Sequence, residues 1–134
     1  VKEVKALRVD SLQIAQKLAI HLPYKSLNAR QGESLRLFLQ IENPYPHEIR
    51  QAVGSMPLTF SAMVFDGVSE APVTIINDAF VLPRGKIGAA ETVEINTTLK
   101  LPDSLKGDFT MVFGIRMGHL PPAVNSAPIR LKID

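Results

Sequence analysis

Between residues 32 and 43, GESLRLFLQIEN, the residues Leu35, Leu37, Leu39 and Ile41 recur at every second position, with Arg36 and Gln40 between them. A period of two sends alternate side chains to opposite faces, so the stretch predicts a β-strand with one buried face. Gly32 and Glu33 open it at a turn. Asn43-Pro44-Tyr45-Pro46 closes it, because proline has no N–H for a ladder and disfavours helical geometry in the residue before it.

The same design recurs along the chain. Leu18, Ile20 and Leu22 alternate with Ala19 and His21 until Pro23 stops the run. Leu58, Phe60, Ala62 and Val64 share a face, Met63 and Phe65 take the other, and Asp66-Gly67 supplies a turn. Residues 73–76 and 80–82 predict one bulged strand or two short ones, interrupted at Asn77-Asp78. Val93, Ile95, Thr97, Leu99 and Leu101 alternate with Glu94, Asn96, Thr98 and Lys100, a strand with one wet face. Phe109, Met111, Phe113 and Ile115 define the next strand, with Val112 and Gly114 opposite, and Ile129, Leu131 and Ile133 the last.

Three segments are less regular. Residues 4–15 fit no single period, and an edge strand bent near Asp10-Ser11 is preferred over a short helix. Residues 24–31 are expected to be a polar connection. Residues 43–57 hold three prolines and are expected to be mostly loop, with an irregular edge strand over 49–53 as the alternative. Seven to eight mainly antiparallel strands without a convincing amphipathic helix predict an all-β fold, an immunoglobulin-like or jelly-roll β-sandwich. Leu37, Leu39, Phe60, Ile95, Leu99, Phe113 and Ile115 are expected to form much of the shared core. With neither cysteine nor tryptophan, an antibody-type domain is excluded.

At 134 residues the chain is long enough for one domain with a real core, and a single domain over residues 1–134 is expected, processed or excised from something longer because it begins at Val1. The hydrophobic fraction of 46% and charged fraction of 21% suit a globular protein. A net charge of +2 comes from 15 basic and 13 acidic residues spread along the chain, without a basic run to track a phosphate backbone, so no nucleic-acid partner is expected. No apolar stretch approaches the roughly 20 residues of a spanning helix, so no membrane-spanning segment is expected either.

Candidate chemistry is sparse. His21, His47 and His119 are far apart and form no HExxH-type ligand pair. Asp66, Glu70, Asp78, Asp103 and Asp108 lie in or near turns, where carboxylates accept backbone hydrogen bonds. There is no GxSxG elbow, no phosphate loop and no cysteine nucleophile, so the chain is expected not to be an enzyme and to need no cofactor or metal. Asn125-Ser126, in a proline-flanked loop, suits turn capping better than ligand binding.

The strand opening G-E-x-L-x-L-x-L-x-I-x-N at residues 32–43, Leu82-Pro83 before Ala90-Glu91-Thr92-Val93, and Leu101-Pro102 leading to Gly107-Asp108-Phe109 resemble a known type of module. It is the immunoglobulin-like β-sandwich accessory domain of bacterial glycan-handling proteins, such as the carbohydrate-binding domain of O-antigen ABC transporters. The resemblance spans about residues 32–117 and implies a non-catalytic module that binds a polysaccharide. Two loops hold polar or aromatic groups beside stiffening prolines, and the ligand-binding candidates are Tyr45, His47 and Arg50 in one and Arg116, His119 and Asn125 in the other. Aromatic platforms for sugars are scarce, with no tryptophan and only Tyr24 and Tyr45. The alternative is a structural or protein-interaction sandwich that docks a neighbouring domain, or pairs as a homodimer through an edge strand, with residues 4–15 the candidate edge.

Overall fold

The computed structural model describes residues 17–50, 58–117 and 123–134. Segment 4–15, residues 51–53 of the alternative edge strand, and His119 lie outside them. The described residues form ten strands: β1 (Ala19–His21), β2 (Ser26–Ala29), β3 (Ser34–Glu42), β4 (Ile49–Arg50), β5 (Leu58–Phe65), β6 (Thr74–Phe80), β7 (Lys86–Ile87), β8 (Thr92–Lys100), β9 (Gly107–Met117) and β10 (Ile129–Ile133). They build a three-stranded sheet, β1-β3-β8, a five-stranded sheet, β2-β10-β9-β5-β6, and a small β4-β7 ribbon. Every pairing is antiparallel except β2 with β10. This is the all-β sandwich of mainly antiparallel strands that the alternation predicts, with ten described strands where seven to eight are expected.

The core follows from the period of two. β3 and β8 pair without slip from Ser34 opposite Lys100 to Glu42 opposite Thr92. That register turns Leu35, Leu37, Leu39 and Ile41 inward together with Ile95 and Leu99, all buried. The facing sheet supplies Phe60, Ala62, Val64, Met111, Phe113, Ile115, Ile129, Leu131 and Ile133. Phe80 stacks on Phe60 at 4.6 Å and meets Phe113 at 6.2 Å, so three rings fill the middle of the sandwich. Burying each such side chain contributes about 1.5–3 kcal/mol. All seven expected core residues lie in this cluster.

Residues 73–82 resolve the choice between two short strands and one bulged strand in favour of the latter. Between Phe60↔Phe80 and Ala62↔Ile76, two steps along β5 span four along β6, and Asp78 sits in the extra loop with φ of 52°. The bulge turns the end of β6 toward the other sheet, where the Thr97 hydroxyl donates to the Ala79 carbonyl at 2.8 Å. One flank of the sandwich is closed there.

Other segments differ from the sequence-based expectation. Residues 24–31 contain β2, whose parallel pairing with β10 joins positions about a hundred residues apart and leaves no local signal. The stretch 43–50 is not simple surface loop, because Asn43 and Ile49 are buried and Ile49 pairs with Ile87. β5 buries both faces, with Ser61 and Met63 also inside. Opposite Ser61, Gly114 leaves room for the returning chain: a β-carbon there would overlap the Ala123 carbonyl oxygen and come within 2.8 Å of Met63 Cε.

Candidate interaction surfaces

Asn43 organises the first predicted loop. Its Oδ1 accepts the Tyr45 N–H at 3.0 Å, and its Nδ2 donates to the carbonyls of His47 and Gly88, both at 2.9 Å. The main chain adds Asn43 N–H to Glu91 O and Ala90 N–H to Tyr45 O, so segments 43–47 and 88–91 form one knot at the end of the sandwich. Buried polar groups are costly unless paired, and here the pairing fixes the loop. Tyr45 packs partly against the core, with its ring 5.4 Å from that of exposed His47.

Charges surround this knot. Glu48 lies 3.0 Å from Lys86 and 3.8 Å from Arg50, across the β4-β7 ribbon. The Lys86 ammonium, donating to Glu48, holds that carboxyl below its usual value, with Arg50 helping. Glu91 is likewise lowered, first by the Gly88 N–H and then by Arg84, which lies 2.8 Å away. Asp66, at the tip of the β5-β6 turn, is lowered by the N–H groups of Ser69 and Val68, which cap it at 2.9 and 2.8 Å. Each of these carboxylates is held by a turn or an ion pair. Among the described residues no group of three or more His, Asp or Glu is placed to hold a metal ion, and no helix is long and apolar enough to cross a membrane.

Asn125, from the second predicted loop, lies at the same end. Ala19 pairs with Glu42, which puts Leu18 level with Asn43. Asn125 Nδ2 donates to Leu18 O at 2.8 Å, and Ile20 N–H donates to Asn125 O at 2.9 Å. Asn125 Oδ1 also accepts the Ile115 N–H at 2.8 Å, and Ser126 Oγ accepts the Phe113 N–H. Asn125 thus ties β9 to the start of β1 across the two sheets. Arg116 follows inward-facing Ile115 on β9, so it lies on the outer face of the larger sheet. The structure sets Tyr45 and His47 beside Asn43, puts Arg50 on the β4-β7 ribbon near Glu48, ties half-buried Asn125 between β9 and β1, and places Arg116 on the outer face of the larger sheet.

The large sheet has a second feature that the periodicity did not single out. β6 is its edge strand, with β5 on one side and no strand on the other among the described residues. Val73 and Ile75 are 41% and 42% exposed, and Val81, just past its end, is 61% exposed. In sequence these residues look like any buried strand, because position in a sheet is set by long-range pairing. The cue was the absence of lysine, arginine and proline from TIINDAF.

No protein-family model matches the chain, and no curated protein matches it. Several solved structures are similar to it, and two at low identity illustrate the likeness. One is the sporulation control protein Spo0M from Bacillus subtilis, at 14% identity and a TM-score of 0.47, with 88% of this chain covering 49% of that one. The chain thus spans about half the length of Spo0M. The other is an ASH/PapD-like domain of human CEP192 (PapD-like domain 7), at 16% identity and a TM-score of 0.40, with coverage of 90% and 85%.

Proposed function

We propose that this chain is a non-catalytic protein-interaction module that docks a β-strand on the edge of β6 that no described strand covers. The edge itself supports this. Ile75 on the strand and Val73 just before it are exposed, β6 carries no lysine or arginine, and the tie to β8 lies beyond the Asp78 bulge. Along Thr74 to Ile76, alternate N–H and C=O groups point away from β5, as in any edge strand. Edges left in this state are templates for strand addition, and natural proteins usually blunt them with charge, proline or a covering segment.

The occupant that β6 matches unaided is a second copy. Antiparallel pairing about Ile75 sets Thr74 opposite Ile76 and Val73 opposite Asn77, so that no like charges face one another. Sedimentation velocity across the micromolar to millimolar range tests this. The expected result is a concentration-dependent dimer for the natural chain and a monomer for Ile75→Lys, whose exposed site tolerates the substitution. A natural chain that stays monomeric throughout, or a dimer indifferent to Ile75→Lys, would contradict it. For a polysaccharide ligand, the support is narrower: Tyr45, His47 and Arg50 remain at the rim, while both side-chain polar groups of Asn125 are engaged within the fold. A glycan array probed with the natural chain and with Tyr45→Ala checks that alternative.

A further inference from the structure

β3 is covered unevenly along its outer side. β1 pairs only with Gln40, Ile41 and Glu42. Past Pro23 the chain leaves this sheet and joins the other one as β2. Which backbone groups are left behind follows from two hydrogen bonds. Phe38 N–H points to the vacated side, where the Tyr24 hydroxyl accepts it at 3.2 Å. Ile20, opposite Ile41, turns its N–H away from β3, to Asn125 O, so Ile41 is a position whose backbone groups face β8. By the two-residue alternation of an antiparallel ladder, Arg36 and Ser34 direct their N–H and C=O groups the same way as Phe38. Among the described residues no strand lies beside them.

A depression of about 660 Å³ opens over this stretch, lined by Tyr24, Arg36, Phe38, Asn96 and Thr98. Arg36 is exposed and has no ion-pair partner among the described residues. Of the acids near the start of the strand, Glu33 accepts the Arg30 N–H, and Asp103 lies 3.4 Å from Lys100. The site therefore combines ladder groups beside which no described strand lies, two aromatic side chains, and a positive charge without an ion-pair partner among the described residues.

We propose that this edge of β3 adds an extended acidic peptide segment as a further strand. Ladder bonds to Ser34 and Arg36 hold its backbone. A carboxylate sits on Arg36, and an apolar residue two positions away lies against Tyr24 and Phe38, since residues two apart share a face. The site is on the smaller sheet, separate from the β6 edge, and either surface can fail without the other.

The test is an amide chemical-shift titration with three blocked hexapeptides of alternating valine and threonine. One carries a central aspartate, one a central lysine, and one is the aspartate peptide with alternate amides N-methylated. The expected result is movement of the Ser34 and Arg36 amides, with the aspartate peptide preferred by up to about fivefold, the size of one exposed ion pair. Arg36→Glu should invert that preference, and the N-methylated peptide should lose binding. Three results would overturn the proposal: no shift at millimolar peptide, shifts confined to the β6 amides, or a charge preference that Arg36→Glu leaves unchanged.

Discussion

Asn43 is the polar side chain whose loss this fold should feel most. Truncation by Asn43→Ala strands the Tyr45 N–H and the carbonyls of His47 and Gly88 at a buried site. The expected cost is about 3 kcal/mol in urea denaturation, from unpaired buried groups. His47→Ala, at an exposed ring in the same loop, should fall within about 0.5 kcal/mol of the natural chain. In sequence, Asn43 read only as the residue before a proline, and nothing local distinguished it from Asn125 or from the exposed His47. Their difference lies in partners at positions 88 and 18, which only the assembled sandwich brings near. The lowered carboxyls add a pH dependence. A carboxyl with a depressed folded value contributes stability that is complete above its unfolded value and lost as pH falls through the folded one. For Glu48, Asp66 and Glu91 that means a melting temperature level from neutral pH down to about 5 and declining below about 4. A melting temperature that rose on acidification would contradict this account of the three sites.

At the scale of elements, the alternating strands were legible because each has a wet face and a dry face. β3, β8 and β10 keep that contrast, and their inward positions were predicted residue by residue. Leu39→Ala should therefore cost about 2–5 kcal/mol, as a fully buried leucine does. β2 and β7 were not legible as such, since they are four and two residues long and exist through distant partners, and β4 was legible only as the start of the alternative edge strand over 49–53. Gly114 reads in sequence as a weak point in a strand, yet it is where the returning chain crosses closest. Gly114→Ala must displace the backbone at Ala123, and a loss of about 1–3 kcal/mol is expected, as for overpacking elsewhere. Equal stability of the two proteins would mean that the 123–125 segment yields freely.

For the whole molecule, the two sheets are joined at several places by single polar side chains. Thr97 reaches Ala79 at the β6 flank, and Asn125 reaches Leu18 at the β1 flank. Among the described residues, two stretches of strand edge have no neighbouring strand, the apolar one on β6 and the charged one on β3. Neither edge could be recognised from periodicity, because an edge strand and a central strand can share the same alternation. The central claim is that β6 accepts another strand, and residue-resolved hydrogen exchange measures this most directly. In dilute and concentrated samples of the natural chain, the outward amides among Thr74 to Ile76 should exchange quickly when dilute and become protected when concentrated, while Ile75→Lys removes the difference. Exchange at these amides that is independent of concentration, or protection that appears at another surface instead, would contradict the account.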